Sequence, residues 1–176
     1  MAARAKTQRS LKSRALQLLA QRDQSRLELK RKLLRHARRE AAEGSSDEDP
    51  PMAEAEIETL LGWLEANRFL SDNRFVDSRV HAREGRFGNL RIRNELAQHG
   101  VALPAERARA LDETELARAA AVRERRFASV PCDAAERAAQ SRFLAGRGFS
   151  PDVVHRLMRQ LRERSADAGT DRQRAG

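Results

Sequence analysis

The chain has 176 residues, 35 Lys or Arg against 26 Asp or Glu, a net charge of +9, and only 4% aromatic residues with a single Trp and no Tyr. That composition leaves too little bulky apolar material for one large core and favours small helical units that bury a few Leu and Ala each and lean on their neighbours. A single cysteine, Cys132, excludes an internal disulfide framework and a cysteine-based zinc site, and no apolar run approaches the roughly 20 residues needed to cross a bilayer. The early residues carry no signal-peptide pattern, so a cytoplasmic, monomeric protein with no cofactor and no membrane partner is expected.

Charge is segregated along the chain. Residues 1–39 carry thirteen Lys or Arg against Asp23 and Glu28, and residues 40–67 carry nine carboxylates and no base. From residue 68 onward basic side chains again exceed acidic ones, 22 to 15. Of the 35 basic residues 31 are Arg, whose planar fork pairs with carboxylates or phosphates at two points. The pattern points to phosphate or an acidic protein surface as partner, although a solvated helix face accounts for any one cluster about as well.

In chain order, residues 1–9 read as a basic disordered tail, and Leu11, Ala15, Leu18 and Leu19 then recur at helical spacing. Ser25 to Glu28 is a capping-box pattern opening a helix with Leu29, Leu33, Leu34 and Ala37 on its buried stripe. Residues 38–52, with Gly44, Ser45, Ser46, Asp47, Glu48, Asp49, Pro50 and Pro51, read as an acidic solvated loop. Ile57, Leu60, Leu61 and Leu64 mark a third helix, on which Trp63 is expected to pack into the core.

Asp72 is placed to cap a helix bearing Phe75, Val76 and Val80, which Gly85 and Gly88 interrupt before Leu90, Ile92 and Leu96 resume the stripe. Gly100 ends that helix in the left-handed position, and a short helix is expected from Pro104. Leu116, Ala120 and Phe127 suggest another helix, Asp133 to Glu136 is a second capping box, and Gly148 closes the helix with Phe143 and Leu144. Ser150-Pro151 opens the last helix, through Val154, Leu157 and Leu161, before a disordered tail at 165–176.

Superposing Leu33, Leu96 and Leu144 aligns Ala37 with Gly100 and Gly148, and His36 with His99 and Arg147. The acidic insert accounts for the longer first interval. The expected fold is therefore all-α, an elongated tandem array of three three-helix modules at 10–70, 71–111 and 112–164. Little supports catalysis. His36, His81, His99 and His155 are scattered, with His36 and His99 expected near helix C-termini, and Cys132 has no His nearby in sequence. Gly85-Arg86-Phe87-Gly88 lacks the Lys-Ser/Thr ending of a phosphate loop. Trp63 and the six Phe residues could stack on bases, yet the spacing of Trp63, Phe75, Phe127 and Phe143 favours core packing, while Phe69, Phe87 and Phe149 fall nearer helix ends.

These residues resemble the RecX family. Ala15 to Leu19, Gln21 to Ser25 and Glu28 to Leu33 are similar to its opening, and Phe69-Leu70-Ser71-Asp72-Asn73-Arg74-Phe75 to its most distinctive motif. Arg83, Gly85, Gly88, Arg91-Ile92, Glu95-Leu96 and Gly100-Val101 follow in order, and Arg142-Phe143-Leu144 with Arg147-Gly148-Phe149 completes the likeness across residues 11–162. Ser71 stands where the family has an acidic residue, Val76 stands where Ala is common, and the acidic insert is unusual. The resemblance implies a non-enzymatic regulator that binds RecA filaments on DNA, inhibits their ATPase and strand exchange, and so restrains recombination and the SOS response. A general basic helical DNA-binding protein is the alternative, single- or double-stranded DNA being a weaker, electrostatic partner in the first reading. The repeat alignment marks Lys30, Arg31, Arg86, Arg91, Arg93, Arg142 and Arg147 as binding residues, with Asp72, Phe75, Gly85, Gly88, Gly100 and Gly148 as structural ones.

Overall fold

A computed structural model describes residues 2–42 and 50–174, with side-chain surroundings described for 11–42 and 54–165. Among the described residues there are eight helices and no strand: α1 Ala2–Gln21, α2 Arg26–Ala42, α3 Pro50–Ala66, α4 Asp72–Glu84, α5 Asn89–Gln98, α6 Ala105–Glu124, α7 Ala134–Gly146 and α8 Pro151–Arg174. Two compact units form, Met1–Ser78 with Ala97–Val101, and Arg79–Leu96 with Ala102–Gly176.

Several expectations change. α1 starts at Ala2 and α8 continues to Arg174, so helix covers most of both segments read as disordered tails. The expected loop at 38–52 shrinks from both sides, because α2 continues to Ala42 and α3 begins at Pro50; its residues 43–49 lie outside the described residues. Pro50 and Pro51 occupy the first turn of α3, where a missing N–H costs nothing. The short helix from Pro104 and the next helix are one, α6, because nothing between Ala105 and Glu124 breaks a helix.

In the first unit α2 packs on α1 and α3 around Leu11, Ala15, Leu18, Leu29, Leu33, Ile57, Leu61, Leu64 and Leu70, all buried. Each fully buried Leu contributes about 1.5–3 kcal/mol of transfer free energy, so nine small side chains hold the unit. In the second unit α6, α7 and α8 enclose Ala119, Val122, Leu144, Phe149, Val153, Val154, Leu157, Met158 and Leu161. Trp63 departs from expectation: it is 38% exposed. The buried stripe of α3 runs through Ile57, Leu61 and Leu64, and Trp63 stands about 100° around the helix from Leu64.

Helix starts are satisfied partly from a distance. Ser25 Oγ accepts from Glu28 N (3.0 Å) and donates to the His99 carbonyl (2.8 Å), so the expected cap forms. The Glu28 carboxylate does not close that box; it pairs with Arg22 and Lys32. Burial pushes the Glu28 carboxyl up, but hydrogen bonds from Arg22 and Lys32, with their charges, outweigh it and hold the group at about 2. At the second box Asp133 Oδ1 accepts from Glu136 N (2.7 Å), and Glu136 Oε2 accepts from Cys132 N (2.8 Å). His36 is not at a helix end, since α2 runs on past it, and its Nε2 lies 3.5 Å from Glu40.

Asp72 caps a different helix from the one expected. Its Oδ1 accepts from Arg26 N (2.8 Å), a free amide at the start of α2, while Ser71 Oγ accepts weakly from Arg74 N (3.3 Å) at the start of α4. Asp72→Ala therefore exposes an unsatisfied amide on α2 and is expected to cost about 0.5–2 kcal/mol. Asp72→Asn, which keeps the acceptor oxygen, should melt close to the parent. Thermal melts followed by circular dichroism check this, and an Asp72→Ala variant melting with the parent would discard the cross-helix cap.

Candidate partner-binding site

A cluster of cations in the second unit grows from two glycine-bearing turns. Residues 85–88 link α4 to α5, and 147–150 link α7 to α8. Gly88 N donates to the Arg147 carbonyl and Leu90 N to that of Gly148, both at 3.0 Å. A Cβ on Gly88 would collide with the backbone of Gly148 and Phe149, and Gly148 itself has φ +82°. Both positions therefore demand glycine, one for approach and one for conformation.

The 85–88 turn is tied down from behind by α6. Arg118 donates to the carbonyls of Glu84 (3.1 Å), Phe87 (3.0 Å) and Leu111 (3.0 Å) and to Asn89 Oδ1, and Arg125 donates to the Gly85 carbonyl (3.1 Å). Burial pushes the Arg118 guanidinium below its usual value, against the charges of Glu115, Glu84 and Asp112. Glu115, 4% exposed on α6, completes the frame. Its Oε1 accepts from Asn89 N (2.9 Å) and Ser150 N (3.3 Å), and its Oε2 from Ser150 Oγ (3.1 Å). One buried carboxylate thus caps the starts of α5 and α8 together.

This frame places four guanidinium groups around one ring. Arg91 lies 4.4 Å from the Phe87 centroid, Arg86 5.7 Å, and Arg83 and Arg147 5.8 Å each. Arg83 is held by Glu95 (3.1 Å), which Arg79 also approaches (3.2 Å). Arg147 further stacks on Phe143 (4.9 Å) and reaches the Arg86 carbonyl (3.4 Å). Among the described residues no carboxylate pairs with Arg86, Arg91 or Arg147. Like charges collected without a counter-ion repel each other, and a carboxylate or phosphate brought by a partner would relieve that repulsion with two-point hydrogen bonds.

Three of the seven sequence-marked residues, Arg86, Arg91 and Arg147, are therefore brought together, and Arg142 is exposed on α7. Arg93 is engaged by Asp112 (3.0 Å). Lys30 and Arg31 belong to the first unit. Lys30 bridges Glu54 (2.8 Å) and Glu58 (2.7 Å), which push it above its usual value, and Arg31 Nη1 contacts the Gln98 carbonyl (3.3 Å). Sequence reasoning missed Phe87 as the hub and Glu115 as the frame. The Gly-Arg-Phe-Gly run flanked by Arg83 and Arg91 was the available signal for Phe87; nothing in the sequence pairs Glu115 with two distant helix starts.

Among the described residues no group of three His, Cys, Asp or Glu side chains is arranged to hold a metal ion, and no helix is long and apolar enough to cross a membrane. An open groove of about 310 Å³ along α1 and α2 is lined by Arg14, Leu18, Lys32, Arg35, His36 and Arg39. Small helical units that each bury a few apolar side chains, without a strand among the described residues, define an all-helical protein of the repeat type.

Comparison narrows that class to one family. Residues 113–158 match the family profile "RecX, third three-helix domain". The chain is 44% identical over 151 residues to the regulatory protein RecX of Ralstonia pickettii, covering 85% of this chain and 86% of that protein. It is 48% identical over 156 residues to that of Leptothrix cholodnii, covering 86% and 89%. Its fold matches the crystal structure of RecX from Lactobacillus salivarius with a TM-score of 0.67 at 18% identity, covering 89% of this chain and 97% of that one. The chain belongs to the RecX family of regulatory proteins. The matched third domain begins inside α6, which is why a boundary near residue 112 leaves no break in the helix.

Proposed function

We propose that this protein is a non-enzymatic negative regulator of homologous recombination and the SOS response, which binds RecA filaments on DNA in the cytoplasm and inhibits their ATPase and strand-exchange activities. The observation that carries the reading is the trio Arg86, Arg91 and Arg147, held without carboxylate partners around Phe87 on a rigid two-turn frame. Such a trio suits an acidic patch on a protein filament, to which Arg142, exposed on α7, would add a further cation. Lys30 and Arg93, each already paired, contribute less, and Arg31 lies outside the cluster.

A second reading, general DNA binding without RecA, is favoured by the α1/α2 groove, where Arg14 and Arg35 have no carboxylate partner among the described residues. A salt titration on bare DNA and on RecA-coated DNA separates the two. Tighter binding to the coated strand that survives added salt is the expected result. Equal, steeply salt-dependent binding to both would reduce the protein to a phosphate binder and overturn the RecA reading.

A further inference from the structure

Trp63, the only tryptophan of the chain, and Phe69 are among the large apolar side chains left exposed, at 38% and 48%. Their rings stack on each other, with centroids 5.7 Å apart and planes 20° apart. Lys12 Nζ sits 3.7 Å from the Trp63 ring centroid.

The turn that presents Phe69 is strained. Arg68, two residues past the end of α3, has φ +60°, while among the described residues the other two positive-φ positions, Gly100 and Gly148, are glycine. Helices commonly end on one left-handed residue, usually glycine, and a non-glycine residue held there costs stability. The turn is nevertheless fixed: Phe69 N and Leu70 N both donate to the Leu64 carbonyl (2.9 and 3.1 Å), and Arg74 Nη2 donates to the carbonyls of Arg68 (3.1 Å) and Phe69 (3.0 Å). Asp23 is engaged with Arg74 at 3.4 Å and Glu65 with Arg26 at 2.5 Å, while Lys12 and Arg68 have no carboxylate partner among the described residues.

We propose that Trp63, Phe69, Lys12 and Arg68 form a stacking platform for single-stranded nucleic acid, with Phe69 receiving an unpaired base and the two cations meeting the adjacent phosphates. Pre-stacked rings on a fixed turn offer a flat apolar face at little ordering cost, and every base has a matching face. The charge beside the rings is cationic, with Lys12 and Arg68 free of carboxylate partners among the described residues, which matches the phosphates that flank an unpaired base. A duplex keeps its bases stacked inside and cannot reach the ring. The platform does not rest on the RecA reading, because it binds bare strand through residues outside the arginine cluster.

Trp63 supplies its own probe. Titrating the full-length protein with a short oligothymidylate should quench tryptophan emission, and the matching duplex at equal phosphate concentration should not. Phe69→Leu keeps an apolar side chain but removes the stacking face, and should weaken binding by roughly tenfold or more. Arg68→Gly should weaken binding and flatten its salt dependence by about 0.7 in the slope of log affinity on log salt. The same substitution relaxes the turn, so the melting temperature should rise by roughly 2–4 °C. A merely structural Arg68 would give the rise without the loss. Quenching equal with strand and duplex, or strand affinity unchanged in both variants, would overturn the proposal. It would equally be overturned if the variants lost RecA-filament binding while keeping oligothymidylate binding, which would make the patch a protein anchor.

Discussion

Replacing Glu115 by leucine is expected to lower the melting temperature by on the order of 10 °C, the largest stability effect of any single side chain considered in this fold. The carboxylate is 4% exposed and accepts three hydrogen bonds, from Asn89 N, Ser150 N and Ser150 Oγ. Leucine fills a similar volume, so the cavity contribution is small and the loss is polar. Each buried donor left without a partner costs about 1–3 kcal/mol, and the two amides stand at the starts of α5 and α8, where the helix dipoles also favour a negative charge. Together these amount to roughly 3–5 kcal/mol, and about 2–4 °C per kcal/mol is usual for chains of this length. Glu115→Gln, which keeps one acceptor oxygen for the amides and can turn its NH₂ to the Ser150 hydroxyl, should lose well under half as much. A leucine variant melting within a degree or two of the parent would mean that water replaces the carboxylate, and that the double cap is not what fixes the two turns.

The contrast between Glu115 and the Leu stripes shows which parts of this molecule its sequence encodes legibly. Leu11, Ala15 and Leu18, Leu29 and Leu33, and Ile57, Leu61 and Leu64 are buried as their spacing requires, because helix periodicity is a local property. The caps at Ser25 and Asp133 form for the same reason, their acceptors lying three residues from the donors. Asp72 misled because the same carboxylate can serve its own helix or, as here, one that begins 46 residues earlier. Trp63 misled because its apolar neighbours in sequence hide its angular offset from the stripe. The module boundary near residue 112 agrees with the start of the matched third domain at 113, but it leaves no break in the helix: no glycine or proline interrupts Ala105 to Glu124, and Asp112 to Glu115, with the spacing of a capping box, stays inside α6. Within the candidate site, Arg86, Arg91 and Arg147 could be marked by repeat position, but their meeting around Phe87 depends on the approach of Gly88 to Gly148, a tertiary fact.

Reversing two members of that meeting, Arg86→Glu with Arg91→Glu, should abolish most inhibition of RecA-filament ATPase, raising the concentration needed for half-inhibition roughly 30-fold or more. Removing one partner of a desolvated charge pair typically costs about 2–5 kcal/mol of binding, and reversal adds repulsion to the loss. Folding should survive. Neither guanidinium has a carboxylate partner to orphan among the described residues, and both Cβ atoms, including the one that Arg91 packs against Gly148, are retained. The lost contacts to Phe87 are exposed cation–π contacts worth about 0.5–1 kcal/mol, offset by relief of the repulsion among Arg83, Arg86, Arg91 and Arg147. Circular dichroism and the melting curve should therefore match the parent to within a few degrees. Arg93→Glu is the internal control. It sits two residues further along the same helix and breaks a surface pair with Asp112 that is worth about 0–1 kcal/mol, so it should leave inhibition within roughly threefold of the parent. If Arg93→Glu and the double reversal impair inhibition equally, the filament reads the overall charge of α5 and not the geometry around Phe87. If the double variant inhibits as the parent does, the arginine cluster is not the RecA-binding surface, and the interface must be sought among the basic residues of the first unit.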